Sequence, residues 1–195
     1  MQIGFYFDQE RCIGCHTCAV ACKDKNDIPA GSVHWRRVRL LERGKYPQPR
    51  LLRLSLACNH CAEPACIPAC PVSAIHKREA DGVVIVDRER CLGGDGCGRF
   101  CLTACPYEAP QFGGEPNPKM QKCDLCLDRL EVGEKPVCAT ACPMLALEAG
   151  PVEALEREHI TTLHTEGMPD PFQARPSLRF RAAGRRARPT AVPAR

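Results

Sequence analysis

The residues able to do chemistry in this chain are its cysteines, 16 in 195 residues, and they fall into four groups of four with none left over. The groups are Cys12, Cys15, Cys18 and Cys22; Cys58, Cys61, Cys66 and Cys70; Cys91, Cys97, Cys101 and Cys105; and Cys123, Cys126, Cys138 and Cys142. The first is spaced Cys-x2-Cys-x2-Cys-x3-Cys, and the other three end in Cys-Pro, at Cys70-Pro71, Cys105-Pro106 and Cys142-Pro143. Thiolates at this spacing suit an iron-sulfur cubane. Three of them on one loop wrap a cluster, and the fourth, one helical turn further on, points away toward a neighbouring cluster. Disulfides fit less well, because closely spaced Cys-x2-Cys pairs would all need oxidised partners under strain, and no secretory signal is visible. Zinc sites generally use two Cys-x2-Cys knuckles across a spacer, a pattern that only Cys123-x2-Cys126-x11-Cys138-x3-Cys142 approaches.

The elements that must position these thiols are expected to be short. With 5% aromatic residues and a mean hydropathy of −0.28, an ordinary hydrophobic core would be thin. The 18 prolines and 15 glycines fall between the cysteine groups, which favours loops over a helical bundle or a regular α/β sheet. An internal repeat is present: Phe7-Asp8-Gln9-Glu10-Arg11-Cys12 recurs as Val86-Asp87-Arg88-Glu89-Arg90-Cys91, each after an apolar, β-prone stretch, Ile3 to Phe7 and Val83 to Val86. Ala74-Ile75-His76 and Val83 to Val86 flank Asp81-Gly82 and predict a hairpin. Helices are expected through Cys18 to Asp24, from Asp124 toward a stop at Gly133, and from Pro151 with Val152 and Leu155 on one side. No apolar run approaches the roughly 18 residues of a membrane span, and the opening residues from Met1 to Phe5 carry neither a basic region nor a paired-arginine signal. Direct insertion into lipid is not expected, and export would depend on a partner.

The four groups in this order resemble the four-cluster electron-transfer subunits of molybdopterin oxidoreductases, of the dimethyl sulfoxide reductase and polysulfide reductase type. The resemblance rests on Cys12-Ile13-Gly14-Cys15-His16-Thr17-Cys18-Ala19-Val20-Ala21-Cys22-Lys23-Asp24, on Cys58-Asn59-His60-Cys61, on Ala74 to Glu79, on Ala104-Cys105-Pro106-Tyr107 and on Lys122-Cys123-Asp124-Leu125-Cys126, and it extends to about Glu156. It implies a loop-rich α+β fold of two ferredoxin-like modules, a duplicated bacterial ferredoxin, with crossed ligation of four 4Fe-4S clusters. One module would comprise 1–50 with 108–159, the other 51–107, leaving 160–195 as an extended arginine-rich tail. Under this resemblance Cys12, Cys15, Cys18 and Cys142 hold cluster 1, and Cys22, Cys123, Cys126 and Cys138 hold cluster 2. Cys58, Cys61, Cys66 and Cys105 hold cluster 3, and Cys70, Cys91, Cys97 and Cys101 hold cluster 4.

The third group departs from the pattern. Between Cys91 and Cys101 it runs Leu92-Gly93-Gly94-Asp95-Gly96-Cys97-Gly98-Arg99-Phe100, longer than Cys-x2-Cys-x2-Cys by four residues. All four thiols remain, so a cubane is expected at cluster 4, with an atypical or three-iron cluster as the alternative; a longer loop alters solvent access and the hydrogen bonds that tune potential. His16 and His60 lie between cysteines that already suffice as ligands, so neither is expected to bind iron. No Gly-x-Gly-x-x-Gly opens a helix, and no nucleotide or flavin site is visible. His34-Trp35-Arg36-Arg37-Val38-Arg39 mixes basic and aromatic residues, but three arginines at this chain length suggest a subunit-facing surface rather than nucleic-acid binding.

The resemblance implies a relay rather than an enzyme in its own right: electrons pass through the clusters between a large molybdopterin catalytic subunit, with molybdenum or tungsten, and a membrane anchor or quinone-reactive subunit or another redox partner. Membrane association would come through those partners. A free polyferredoxin serving several enzymes is the alternative, and a substrate-transforming iron-sulfur enzyme would need an incompletely ligated cluster, for which only the irregular third group offers a place. The tail argues against a free carrier. Residues 175–195 hold seven arginines and no acid, more charge than the whole chain's formal +4, so the remainder is acidic on balance. With Pro169, Pro171 and Pro176 the tail is expected to run away from the body onto the catalytic subunit, with Leu178 and Phe180 as apolar anchors.

Overall fold

The computed structural model describes residues 1–181. In chain order its elements are β1 (Ile3–Asp8), α1 (Thr17–Lys25), β2 (Arg37–Arg43), β3 (Arg50–Leu56), β4 (Ile75–Lys77), β5 (Val84–Val86), α2 (Gly94–Cys97), α3 (Phe100–Ala104), α4 (Leu127–Leu130), α5 (Val137–Thr140), β6 (Leu147–Pro151), α6 (Val152–Glu158), a 3-10 turn at Pro171–Gln173, and β7 (Leu178–Arg181). The longest helix, α1, has only 9 residues. Helices this short are not stable alone; α1 is held by burying Ala19 and Cys22 and by packing on α5, with Lys23 and Lys25 favourably placed at its C-terminal end.

Three small sheets frame the loops. β1 lies at the centre of the first, antiparallel to β6 and parallel to β7; β2 pairs with β3 and β4 with β5, both antiparallel. The β4–β5 hairpin turns through Asp81 and Gly82, where Gly82 takes a φ of 70°. Helix α4 is one turn long, and the chain leaves it through Gly133 at a φ of 78°, with the Gly133 amide donating to Leu130 O at 3.0 Å. The main core gathers Phe5, Phe7, Leu54, Leu56, Val83, Leu125, Leu147, Leu178 and Phe180 with Cys58, Cys123 and Cys138, and a second core joins Cys66 and Cys101 to Ile75, Val84 and Met120. Cysteines are thus part of the packing itself, which makes up for the scarcity of aromatic rings.

The segment from 160 to 181 corrects the expectation of a tail leading away from the body. β7 pairs along β1 from Phe5↔Leu178 to Asp8↔Arg181, and Leu178 and Phe180 are buried in this chain's own core, at 3% and 1% exposure. Gly4 permits the approach: a Cβ there would lie 1.9 Å from Ser177 O. Asp170 caps the 3-10 turn by accepting from the Phe172 amide at 2.9 Å, so Pro171 opens a turn rather than an extended path. Arg175 pairs with Glu63 at 2.9 Å, Arg179 with Glu156 at 2.5 Å, and Arg181 with Glu10 at 3.0 Å and Asp8 at 3.4 Å. The acidic balance of the body thus attracts these arginines back onto it. Arg185, Arg186, Arg188 and Arg195 lie outside the described residues. Among the described residues no helix is long and apolar enough to cross a membrane.

Candidate metal centres

The first and third cysteine groups are introduced by local backbone chemistry. Asp8 Oδ1 accepts from the amides of Glu10 and Arg11 at 2.9 and 3.1 Å, and the Cys12 amide donates to Asp8 O at 3.2 Å. In the repeat, Asp87 Oδ1 accepts from Glu89 and Arg90 at 2.9 and 3.2 Å, and the Cys91 amide donates to Asp87 O at 3.2 Å. The side chain closes an Asx turn that delivers the first thiol of the first and third groups. Left-handed residues then bend each loop inward, among them Gly14 (φ 76°), His16 (φ 64°), His60 (φ 43°), Arg99 (φ 59°) and Leu125 (φ 66°).

The group ends also share a turn. Cys70-Pro71-Val72-Ser73-Ala74, Cys105-Pro106-Tyr107-Glu108-Ala109 and Cys142-Pro143-Met144-Leu145-Ala146 each place their fourth residue at positive φ, 49° at Ser73, 52° at Glu108 and 48° at Leu145. The fourth amide donates to the cysteine carbonyl at 3.1 to 3.2 Å. The alanine amide of the first and third turns then donates to the cysteine sulfur, at 3.3 Å in both Ala74→Cys70 and Ala146→Cys142. The recurring alanine, four residues after each of these cysteines, is the sequence signal of this turn beyond the Cys-Pro pair itself.

Across the fold, thiols from distant groups meet. Cys12, Cys15, Cys18 and Cys142 line one cavity; Cys58, Cys61, Cys66 and Cys105 line a second; Cys70, Cys91, Cys97 and Cys101 line a third. Cys22, Cys123, Cys126 and Cys138 lie within electrostatic reach of one another where α1 packs on α5. Cys97 stays on its cavity wall despite the longer loop. That loop is pinned by Asn117, whose Oδ1 accepts from the amides of Asp95 and Gly96 at 3.1 and 3.2 Å and whose Nδ2 donates to Leu92 O at 2.9 Å; Asp95 Oδ2 in turn accepts from the Asn117 amide at 3.0 Å.

The residues present fit thiolate-bound clusters. None of the 16 cysteines is in a disulfide. Burial pushes the Cys22 and Cys66 thiols up to about 12 and Cys101 to about 11, and raises Cys61 and Cys123 as well. A buried thiol so reluctant to ionise becomes a thiolate when a metal replaces its proton. Cys15, the exposed exception, is lowered by its contact with Thr17, at 3.3 Å from sulfur to hydroxyl. Beside these thiols lie buried polar atoms without a hydrogen-bond partner, including Arg36 Nε and Nη2, Asn59 Nδ2 and Tyr107 Oη. Asn59 and Tyr107 line the same cavity as Cys58, Cys61, Cys66 and Cys105. Buried donors left open beside thiols suit an anionic sulfur group.

Two sequence expectations meet the site differently. His16 is exposed at the start of α1, whereas His60 is fully buried, its Nδ1 accepting from the Val84 amide at 3.0 Å, and burial first, then Lys122, Arg36 and Lys77, lowers its pKa well below the ordinary histidine value. The reading of His34 to Arg39 as a subunit-facing surface is corrected at Arg36, which is 1% exposed and turned inward, while Arg39 remains exposed. Position decides this: Arg36 leads into β2 between the half-buried Trp35 and Arg37, where Ser55 and the cysteine sulfurs give a cation a polar interior.

Comparison with known proteins agrees with this chemistry. Residues 50–152 match the family model of a 4Fe-4S dicluster domain, and residues 4–24 match a 4Fe-4S binding domain. Among curated proteins, the B subunit of anaerobic dimethyl sulfoxide reductase from Haemophilus influenzae is 41% identical over 186 residues, covering 91% of this chain and 87% of its own length. The corresponding B subunit of Escherichia coli is 43% identical, covering 81% of this chain and 78% of its own length. The chain belongs to this iron-sulfur subunit family. The formate dehydrogenase iron-sulfur subunit of Wolinella succinogenes, 39% identical, covers 79% of this chain and 84% of itself. As a member, the protein carries 4Fe-4S clusters, for which its 16 cysteines provide ligands enough for four, and it is an electron carrier of a multi-subunit oxidoreductase rather than a catalytic subunit.

Proposed function

We propose that this chain relays electrons through four 4Fe-4S clusters, each held by three thiols of one cysteine group and one from another. The ligand sets are Cys12, Cys15, Cys18 and Cys142; Cys22, Cys123, Cys126 and Cys138; Cys58, Cys61, Cys66 and Cys105; and Cys70, Cys91, Cys97 and Cys101. The observation that carries this reading is the meeting of residues 12, 15 and 18 with 142 around one cavity, a separation of more than a hundred residues bridged only by the fold. Such clusters supply one-electron storage at each site without proton chemistry on the protein. The protein's part is to hold the thiols, exclude water and set the local charge.

The same reading divides the chain into two ferredoxin-like modules, 1–50 with 108–159 and 51–107. The Asx turns at Asp8 and Asp87 and the three Cys-Pro-x-x-Ala turns support a duplication. One end of the relay faces a molybdopterin catalytic subunit and the other a membrane-embedded quinone-reactive subunit, through which the complex associates with the membrane. The names and coverage of the relatives support the catalytic partner. The test is purification of the intact complex under anaerobic conditions, with iron and labile sulfide quantified on this subunit. Close to four irons per set of four cysteines is expected; half that amount, or stoichiometric zinc, would refute the four-site reading.

A further inference from the structure

Arg36 is a buried cation with unused hydrogen-bonding capacity. It is 1% exposed, its Nη1 donates to Ser55 Oγ at 3.1 Å, and its guanidinium carbon sits 4.4 Å from the centre of the Phe5 ring. Its Nε and Nη2 have no partner although both are buried. Interiors seldom tolerate this, since a desolvated charge and two open donors are each costly. The groups that would act on it most strongly as thiolates are Cys138, Cys123, Cys18 and Cys22, with no carboxylate among them. Three of those four belong to one proposed ligand set. The fourth, Cys18, is reached through Ser55, whose hydroxyl lies 3.4 Å from Cys18 Sγ.

Lys122, the other buried cation among the described residues, is already occupied, because its Nζ donates to Val84 O and, at 3.0 Å, to Cys123 O. Among the described residues, the cavity of Cys70, Cys91, Cys97 and Cys101 has no cation on its wall, which is formed by apolar side chains such as Ile75, Val86, Phe112 and Met120. Fixed positive charge is therefore unevenly distributed over the four sites.

We propose that Arg36 is the fixed counter-charge of the cluster held by Cys22, Cys123, Cys126 and Cys138, raising that cluster's reduction potential, with a smaller effect at the cluster of Cys12, Cys15, Cys18 and Cys142. The proposal rests on the ligand sets given above. A four-thiolate cubane carries about −2 when oxidised and gains one further negative charge on accepting an electron. In a low-dielectric interior a nearby cation and N–H donors favour the more negative state, so removing them makes reduction harder. Arg36 acts on the potential through its charge and donors, not as an iron ligand.

The test is a redox titration of the purified complex with dithionite as reductant, followed by electron paramagnetic resonance. Signals are assigned beforehand by one Cys→Ser variant in each ligand set. Arg36→Gln should lower the midpoint of the Cys22, Cys123, Cys126 and Cys138 cluster most and that of the Cys12, Cys15, Cys18 and Cys142 cluster less, leaving the other two in place. Arg36→Lys keeps a charge but loses the guanidinium fork, so a smaller fall confined to the first of these is expected. Four clusters present with unmoved midpoints, or an equal shift at all four, would overturn the proposal. Should Arg36→Gln not assemble, Arg36→Lys carries the test alone, and no shift at the Cys22 set overturns it. Failure of the ligand sets shows separately, as Cys→Ser variants that do not each remove a single signal.

Discussion

The turn at Asp8 and the turn at Asp87 are built alike and buried differently. Both aspartates accept two backbone amides and lead four residues on to a cysteine; Asp8 is the last residue of β1 and Asp87 follows β5 directly. β1, however, is flanked on both edges by β6 and β7, and Asp8 is 1% exposed with Arg11 and Arg181 beside it at 3.6 and 3.4 Å. Among the described residues β5 has only β4 as a partner, and Arg88, Glu89 and Arg90 face solvent. The turn is a local instruction repeated in the chain, whereas its burial depends on a remote segment that adds a strand to only one copy. That segment also ties the two regions together: the amides of Ala62 and Glu63 donate to Arg175 O and Ala174 O at 2.8 and 3.2 Å, and Ser177 bonds to Asn59 O and His60 O at 2.9 Å each.

The largest test of this contrast is metal removal. Much of the core is cysteine, so chelation should unfold most of the chain, and hydrogen exchange followed by mass spectrometry should show β4 and β5 losing protection before β6, β1 and β7. Equal loss in both sheets would mean that β7 confers no advantage. Next comes the paired substitution of matching turns. Cys142→Ser should damage the cluster site containing Cys12, and Cys70→Ser the site containing Cys91, each lowering iron content by about four per chain or leaving a three-iron signal. If Cys142→Ser instead altered only the site of Cys123, Cys126 and Cys138, the crossed arrangement would be wrong.

The strand itself can then be removed. Truncation after Ala174 strips Leu178 and Phe180 from the core and should destabilise both regions. The single change Phe180→Ala is expected to cost about 3–5 kcal/mol in denaturant unfolding of the metal-loaded protein, and Gly4→Ala should act in the same direction by colliding with Ser177 O. Intact cluster spectra after truncation at Ala174 would restore the view of this segment as an appendage. At the turns, Asp8→Ala should cost about 2–3 kcal/mol, since it removes a buried carboxylate that serves two part-buried amides and two arginines, against about 1 kcal/mol for Asp87→Ala.

What is legible in the sequence follows the same division. The repeat around Asp8 and Asp87, the β4–β5 hairpin at Asp81-Gly82, α1, and α6 with Val152 and Leu155 are encoded within a few residues, and local physics is enough to read them, although the Asx turns that the repeat closes appear only in the structure. The cysteine spacing identifies the chemistry for the same reason. The long β2–β3 hairpin is not legible, because Arg37–Arg43 carries three arginines and a half-exposed pattern that resembles a solvated face. Arg36 is hidden with it, since only the fold shows that sulfurs lie on its inner side. β7 reads as a partner-binding tail because its core partner, β1, lies more than 170 residues away, beyond the reach of any periodicity.

The smallest effect is expected at the ion pair joining α1 to α4, Lys25 Nζ to Asp128 Oδ2 at 2.7 Å. It links the first cysteine group to the fourth, so it offers surface charge as a rival to β7 in explaining why that region is better held. The hydrogen bond to Lys25 keeps the Asp128 carboxyl below its ordinary pKa, and the same bond raises Lys25. The depressed carboxylate contributes stability above its unfolded value of about 3.9 and loses it as pH falls through the folded value; the raised ammonium contributes below about 10.4 and loses it as pH rises through its own. Between about pH 6 and 9 the pair is therefore fully formed and its contribution flat. Side-chain exposures of 33% and 61% let water and salt screen it, which limits the contribution to well under about 1 kcal/mol. Asp128→Asn should lower the denaturation midpoint slightly at low salt, equally across that pH range, and not at all in about 1 M salt, where the Debye length shrinks to about 3 Å. A salt-sensitive loss as large as that of Phe180→Ala would shift the explanation from the added strand to the surface charge.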